Sequence, residues 1–356
     1  MDIGIRDAGF EVLAELEIDE HCCATLRANA ENNNYNSRII QKDIRNVDPQ
    51  SLLKELNIKK GELDILFGGP PCQSFSLAGK QLGLSDERGP LLFEIIRFAK
   101  SIQPKVILLE QVKGLLSSKG HTNRRGEVFE NFLSELEKIN YTPKWRAILA
   151  SDFGVPQLRE RLFVIATRGR NGFVFPERTH APAEECNGLF HYQPYVGTGK
   201  AIKGLGKPDS KIQGKTVYER LDSHVDVTPP RDRERIAQVP EGSYLSAQTH
   251  LGEELRCGLS PKDTTKYLRL HRKRPANTLR CGEIFYHPTE NRYLTPREYM
   301  RIHGYPDDYI LKGPIRSRTG SVRNLDQHRQ VANSVPPPLA RILGQQIMRF
   351  LDEQDI

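Results

Sequence analysis

A cysteine and two glutamates have the surroundings that chemistry requires. Cys72 lies in GGPPCQSFS (68–76), directly after the apolar run LDILF, so it is placed on a proline-flanked loop at a strand end. Two prolines fix the approach of the chain, and the polar Gln73 and Ser74 follow at once. Those neighbours suit a presented nucleophile better than a packed core thiol. Glu110 closes the run KVILLE (105–110), and Glu17 closes FEVLAELE (10–17) with Asp19 just beyond. In an open α/β sheet, ligands bind beyond the carboxyl ends of the strands, which is where all three side chains fall.

The elements that must position them alternate. Helix-compatible DEHCCATLRANA follows Glu17, with Asp19 placed to cap it. LDILFGG (63–69) reads as a buried strand, and PLLFEIIRFAKSI (90–102) as a helix with proline in its first turn. KVILLE is a strand, EVFENFLSELEKI (127–139) an amphipathic helix and RLFVIAT (161–167) a further strand. This alternation predicts an α/β fold: a doubly wound, mostly parallel sheet covered on both faces. From about residue 173 the pattern gives way to stretches rich in Pro, Gly and charge, which marks a second, smaller, irregular domain. Helical character returns at TPREYMRIHG (295–304) and PPPLARILGQQIMRFLDEQ (336–354).

Charge divides the chain the same way. The formal net charge is +7, with residues 1–150 at −1 and residues 151–356 at +8. The excess gathers in 200–280, including Arg231, Arg233, Arg235 and the run HRKR at 271–274, and a localised excess points to a polyanion. No apolar run approaches 18 residues, which excludes a membrane-spanning helix. The first 25 residues hold no basic segment followed by an apolar one, which excludes a secretory signal and argues for the cytoplasm. Six cysteines without a C-x-x-C pair make neither a disulfide framework nor a metal site.

The chain resembles the DNA (cytosine-5-)methyltransferases. GGPPCQSFSLAGKQLGLSDERGPLLFEIIR (68–97) is similar to that family's Pro-Cys-Gln nucleophile loop. KVILLEQVKGL (105–115) resembles its Glu-Asn-Val motif, and FGVPQLRERLFVIATR (153–168) its Gln-x-Arg-x-Arg motif. RYLTPREYMRIHGYPDDY (292–309) and QVANSVPPPLARILG (330–344) are similar to the last two motifs, in the usual order. The resemblance implies a Rossmann-like catalytic domain at 1–175 plus 330–356 and a target-recognition domain at 176–329. It implies methyl transfer from S-adenosyl-L-methionine to C5 of a cytosine flipped out of double-stranded DNA, by a monomer of a bacterial restriction-modification system working at the nucleoid.

Residue by residue, Cys72 matches the nucleophile that adds to cytosine C6, and Glu110 the carboxylate at N3 and the exocyclic amine. Arg161 matches the arginine at the cytosine O2, with Arg159 supporting the cysteine loop. For the cofactor, Glu17 matches the acid at the ribose hydroxyls and Ile18 the adenine-packing residue. Asp43 and Ile44 match the adenine contacts, Pro70 with Phe67 borders the pocket, Leu91 follows the Asp86/Arg88 pair, and Asn333, Ser334 and Val335 form the final contact. No metal is implied. On the DNA side the resemblance implies the loop of Gln73, Ser76 and Lys80, facing a recognition domain whose Arg272, Lys273 and Arg274 are basic. Gln111 stands where Asn is usual, and Ala332 where Gly is usual.

The family's first motif, a strand followed by Phe-x-Gly-x-Gly-Gly, has no counterpart here; Met1–Phe10 matches the helix and turn after it. That strand is central in the family's sheet, so its neighbours are expected to present unpaired edges, at about 1–3 kcal/mol per orphaned group. The expected remedy is a strand supplied from upstream of Met1 or by a separate polypeptide. Two rival readings are a tRNA cytosine-5 methyltransferase and a non-catalytic DNA-binding regulator. The first lacks its Cys-Phe-Thr signature here, and the second has no need of Cys72, Glu110 and Arg161 together.

Overall fold

In the computed structural model, residues 1–71, 89–120, 122–169, 172–186, 191–210, 222–256, 258–260, 262–316 and 324–353 are described. The first half builds an interrupted α/β sheet. Helix α1 (Asp2–Asp7) precedes β1 (Ala14–Glu17), α2 (Glu20–Asn32) and β2 (Arg38–Gln41). Then come α3 (Pro49–Glu55), β3 (Ile65–Gly68), α4 (Glu94–Ile102), β4 (Val106–Gln111) and α5 (Glu127–Lys138). The set ends with β5 (Tyr141–Leu149), the short β6 (Gln157–Leu158) and β7 (Glu160–Arg168). Asp19 caps α2 as its sequence position predicts, accepting from the Cys22 amide at 3.0 Å.

Parallel ladders join β1 to β2 and β3 to β4, as the alternation of strands and helices requires. β7 runs antiparallel to β4, and β5 antiparallel to β7. The sequence reading treats RLFVIAT as one more strand of the βα series and does not find β5. Because β5 follows α5 directly and returns to β7 through a connection of about ten residues, the pair has no crossover helix and must be antiparallel. β1 extends over four residues, shorter than the FEVLAELE run.

The sheet comes in two pieces, β2–β1 and β3–β4–β7–β5; among the described residues no ladder joins β1 to β3. Burial marks the same break. β4 is buried along its whole length, whereas β1 is half-buried throughout and β3 is half-buried beyond Ile65. Side chains still span the interruption, since Leu16 of β1 and Leu66 of β3 pack against one cluster of Leu52, Leu53, Phe98 and Ile102.

Helix α1 lies on the C-terminal helix Pro337–Asp352, which has its apolar face in the same core as Ile5, Ile65 and Val106. Glycine makes this crossing possible: a Cβ on Gly4 would lie 2.5 Å from the Arg341 nitrogen and 2.6 Å from the Ala340 Cβ. Gly4→Val is therefore expected to destabilise the fold by about 1–3 kcal/mol, read as a lower urea midpoint at unchanged m-value. An unshifted midpoint would refute the close crossing.

The second half has its own core. Ile202, Ile236, Leu245, Leu268, Leu270, Tyr286, Tyr293 and Met300 form one apolar cluster that also takes in Val331 and Ala332. Few regular strands support it; isolated bridges such as Tyr244–Leu268 and Tyr286–Tyr293 do so instead. Helix Pro296–His303 is the best-formed element there, with Thr295 and Glu298 making a complete capping box. Its C-cap Gly304 takes φ +84°, and a Cβ there would lie 2.6 Å from Pro338 Cδ. Among the described residues no helix is long and apolar enough to cross a membrane.

Candidate active site

Glu110 is the next-to-last residue of β4, the strand flanked by β3 and β7. Its carboxylate is buried and its Oε1 lies 3.1 Å from Arg161 Nε. Arg161 is steadied from its other side, where Nη1 donates to the Glu160 carbonyl at 2.8 Å. Burial raises the Glu110 carboxyl above its ordinary value; Arg159, Arg161 and the Met1 ammonium pull it back. A carboxyl so placed keeps its proton to higher pH than an exposed glutamate does and can share it with a ring nitrogen. Gly69 keeps space beside it, since a Cβ there would lie 3.1 Å from Glu110 Oε2.

Gln111 ties this strand to the loop that leads to Cys72. Fully buried, it donates through Nε2 to the Pro70 carbonyl at 3.0 Å and accepts the Val112 amide at 2.9 Å. The extra methylene relative to Asn therefore leaves the amide well used. Cys72, Gln73, Ser76 and Lys80, with Asp86 and Arg88, lie outside the described residues; Pro70 and Pro71 lead up to them. Arg159 is also buried, and its Nη2 donates to the Ser334 carbonyl at 3.0 Å.

The group Glu17, Ile18, Asp43 and Ile44 is brought together by one ladder. β1 and β2 pair with Glu17 opposite Gln41, so their carboxyl ends emerge side by side. Glu17 Oε1 accepts the amides of Ile18 and Asp19 at 2.7 and 2.9 Å, which fixes the carboxylate at the strand end. Burial raises this carboxyl as well. Ile18, 48% exposed, is an uncovered apolar side chain directly beside it. Asp43 accepts the Arg45 amide at 3.0 Å and grips its guanidinium, with Arg45 Nη2 2.6 Å from Oδ2. The Ile44 carbonyl receives Arg97 Nη2 at 2.7 Å. A carboxylate, an exposed aliphatic surface and a second carboxylate at one sheet edge fit the ribose and adenine of a nucleoside.

Leu91 is half-buried in the 3₁₀ turn Gly89–Phe93 before α4. Asn333 ends the helix Gln327–Asn333, and its Oδ1 receives the Cys281 thiol at 2.7 Å. Ser334 Oγ donates to the Val331 carbonyl at 2.8 Å, and Val335 is buried in the main core. Ala332 lies within that helix, so the missing glycine has no positive φ to supply.

In the second half, part of the positive charge is used internally. Arg233 pairs with Asp226 at 2.5 Å, and Arg235 is buried against Asp232. Buried Arg269 donates to the carbonyls of Ile236, Val239 and Pro288. In the HRKR turn, Arg272 is clamped on Glu241, whose carboxyl is lowered to about 2 chiefly by that hydrogen bond. Lys273 and Arg274 are exposed. Replacing both by alanine should therefore flatten the log–log salt dependence of DNA affinity by about 1.8, at about 0.9 per phosphate. Arg272→Ala should move it less, and equal slopes for the two variants would refute this division.

Sequence reasoning left Gln157 and His303 out of the site, although both stand inside motifs it quotes. Residues Gln157 and Leu158 pair in parallel with Ala276 and Asn277, and Gln157 reaches His303. Only the fold shows that these segments meet, more than a hundred residues apart.

Residues 1–349 match the family described as C-5 cytosine-specific DNA methylase. The chain is 34% identical over 363 residues to Type II methyltransferase M.PspPI of Psychrobacter sp., covering 98% of this chain and 76% of that one. It is 32% identical over 366 residues to Type II methyltransferase M.Eco47II of Escherichia coli, covering 99% and 77%. The fold is similar to that of a solved prophage-encoded E. coli protein described as a DNA modification methyltransferase. That comparison has a TM-score of 0.69 at 21% identity and covers 98% of this chain and 95% of the other.

Proposed function

The chain belongs to the C-5 cytosine-specific DNA methylase family, and we propose that it methylates cytosine C5 within a specific double-stranded sequence as the modification enzyme of a Type II restriction system. Membership makes it an S-adenosylmethionine-dependent DNA cytosine-5 methyltransferase. The restriction context comes from relatives named Type II methyltransferases. The observation that carries the reading is the buried Glu110–Arg161 pair, at 3.1 Å, on a strand end reached from the Pro70–Pro71 approach to Cys72.

Cytosine C5 is a poor nucleophile until C6 is substituted. The Cys72 thiolate forms a bond to C6 while Glu110 shares its proton with N3, so the electron pair released toward the ring is held as an enamine. Arg161 supports the O2 side and orients Glu110 through its Nε. When bound, S-adenosylmethionine supplies the methyl group that C5 takes up. Loss of the C5 proton then restores the C5–C6 double bond and releases Cys72. Glu17 Oε2 would hold the ribose hydroxyls, Ile18 the adenine face and Asp43 its amine, with Ile44, Pro70, Leu91 and Asn333–Val335 completing the walls. A stacked base cannot reach Cys72 or Glu110, so the target is flipped out of the duplex. The exposed Lys273 and Arg274 then hold phosphates, and a monomer acts on DNA in the cytoplasm, at the nucleoid.

The test is duplex DNA carrying 5-fluorocytosine in every short sequence context. Fluorine at C5 is not eliminated, so cofactor-dependent covalent trapping is expected, and Cys72→Ser should abolish it while sparing DNA binding. Binding without any adduct would favour a non-catalytic regulator. Bisulfite sequencing of host DNA would then name the target.

We propose further that a parallel strand fills the interruption between β1 and β3. Among the described residues neither strand has a ladder on that side, and β1 and most of β3 are only half-buried.

A further inference from the structure

Four side-chain and backbone groups from four parts of the chain form one directed hydrogen-bond chain beneath the site. It begins in the second half, where the Leu279 amide donates to Gln157 Oε1 at 3.1 Å. With its oxygen so engaged, Gln157 presents Nε2 to His303 Nδ1 at 2.9 Å. An amide nitrogen only donates, so Nδ1 accepts and the ring proton is on Nε2. Nε2 then donates to the Ser334 carbonyl at 3.0 Å, the same oxygen that receives Arg159 Nη2 at 3.0 Å. Gln157 and His303 are fully buried and Arg159 is 2% exposed, so water does not compete for these bonds.

Each end of this chain is mechanically attached. Leu279 follows the strand Ala276–Asn277, which pairs with Gln157–Leu158, and Thr278 Oγ1 donates to the Leu158 carbonyl at 2.8 Å. That strand directly follows the exposed HRKR turn. Ser334 lies between Asn333 and Val335, and Arg159 precedes Arg161 by two residues on the way into β7. His303 itself ends the helix Pro296–His303, whose core position is set by Tyr299 and Met300.

We propose that His303 is a positioning residue: through its single allowed tautomer it holds Gln157 and the Ser334 carbonyl in register, so that the segment bearing Lys273–Leu279 sets the place of Arg159 and of the methyl-donor loop Asn333–Val335. This rests on the methyltransferase reading of the site. Only a neutral ring serves, because a proton on Nδ1 would oppose the Gln157 N–H. The surroundings keep the ring neutral. Burial lowers its pKa well below the ordinary value, the positive charges of Arg159 and Arg161 lower it further, and Tyr305 packs alongside. Against them stands the Ser334 carbonyl, which favours the charged form. No residue of the chain has to move a proton; the ring works as a fixed strut. Misplacement of reacting groups by as little as 1 Å costs about 100-fold in rate, which sets the scale of the effect.

The experiment compares His303→Leu, His303→Gln, Gln157→Leu and the double leucine variant in the full chain. Glutamine can accept from Gln157 and donate to Ser334, whereas leucine fills space only. Methyl transfer to unmethylated genomic DNA is measured together with equilibrium binding of that DNA and of S-adenosylhomocysteine. For each leucine single variant we expect a 10- to 100-fold fall in kcat (order of magnitude) with either ligand's Kd changed by less than about 3-fold. His303→Gln should recover most of the rate, and the double variant should fall no further than the singles, since both cut one chain. In the wild type, long-range ¹H–¹⁵N spectra should show the Nε2–H tautomer with no titration between about pH 5.5 and 8. An unchanged kcat in His303→Leu, additive losses in the double variant, or a ring that titrates in that window would each overturn the proposal. If His303→Gln loses rate and thermal stability as fully as His303→Leu, the residue is packing only, and the proposal falls too. Wild-type chain that binds DNA but transfers no methyl group under any strand complementation would instead sink the methyltransferase reading, while the tautomer measurement would still decide the strut.

Discussion

Glu110→Gln is expected to lower the rate of methyl transfer by about 100- to 10,000-fold while leaving DNA affinity within a few-fold of the wild type. Glutamine has the shape of the side chain it replaces, so β4 and its ladders to β3 and β7 should stay as they are. What it lacks is a proton to share with cytosine N3 as Cys72 adds. Burial raises the Glu110 carboxyl, and Arg159 and Arg161 only partly oppose this, so the acid form persists to higher pH than in an ordinary glutamate. The sign for activity follows: kcat should fall on the alkaline side as that proton is lost, and this limb should be missing from the residual activity of the glutamine variant. For stability, a carboxyl raised in the folded state stabilises most below the ordinary carboxylate range. That contribution is lost as pH rises through the folded value. Above that value the ionised carboxylate is carried at some cost, so Glu110→Gln should not melt lower on that account. Against this, Arg161 loses the partner at 3.1 Å, so a net change of only a few degrees is expected. A variant keeping more than a tenth of the wild-type rate would show that Glu110 holds the base without handling its proton.

The parts of the fold that could be read in the sequence are those whose periodicity survives burial. β4 is a continuous apolar run because both its faces are covered, and α5 shows one apolar face because only one is. β5 stayed hidden: Tyr141–Leu149 includes Pro143 and leaves Lys144, Trp145 and Arg146 exposed, as an edge strand can. The core of the second half was equally invisible, since Leu245, Leu268, Tyr286 and Tyr293 come from irregular segments with no period to betray them. The site divides along the same line. Glu17, Glu110 and Arg161 stand at strand ends, where residue type and position already suggest chemistry. Gln157 and His303 are an uncharged amide and an imidazole whose roles exist only once residues 146 positions apart have folded together. Arg272 shows the reverse error, because a basic run looks free until Glu241 is found beside it.

The interruption of the sheet carries the second large effect. Adding a parallel strand between β1 and β3 should raise the melting temperature by about 10 °C or more and increase the rate of methyl transfer. β1 already spends one edge on β2 and β3 one edge on β4, so each has a single edge left to receive a ladder. Apolar layers are in place on both sides of the gap. Ile65 and Phe67 pack toward the core of Ile5, Val12 and the C-terminal helix, while Leu16 and Leu66 pack toward Leu52 and Phe98. A strand entering there would alternate apolar residues into the two layers and add bonds worth about 0.5–1.5 kcal/mol each. Several kcal/mol correspond to a shift of that order in a domain of this size. Its carboxyl end would arrive beside Glu17, Glu110 and Met1, so cofactor affinity should rise along with stability. The decisive comparison sets three samples side by side: the chain from Met1, the chain extended by the in-frame residues upstream, and the chain from Met1 mixed with any separately encoded strand. Each is scanned for melting temperature and for binding of S-adenosylhomocysteine. A gain in the extended chain places the strand in cis, and a gain only in the mixture places it in trans. If neither gains, no strand enters the gap, and Leu16 of β1 and Leu66 of β3 hold the two pieces together through their shared core.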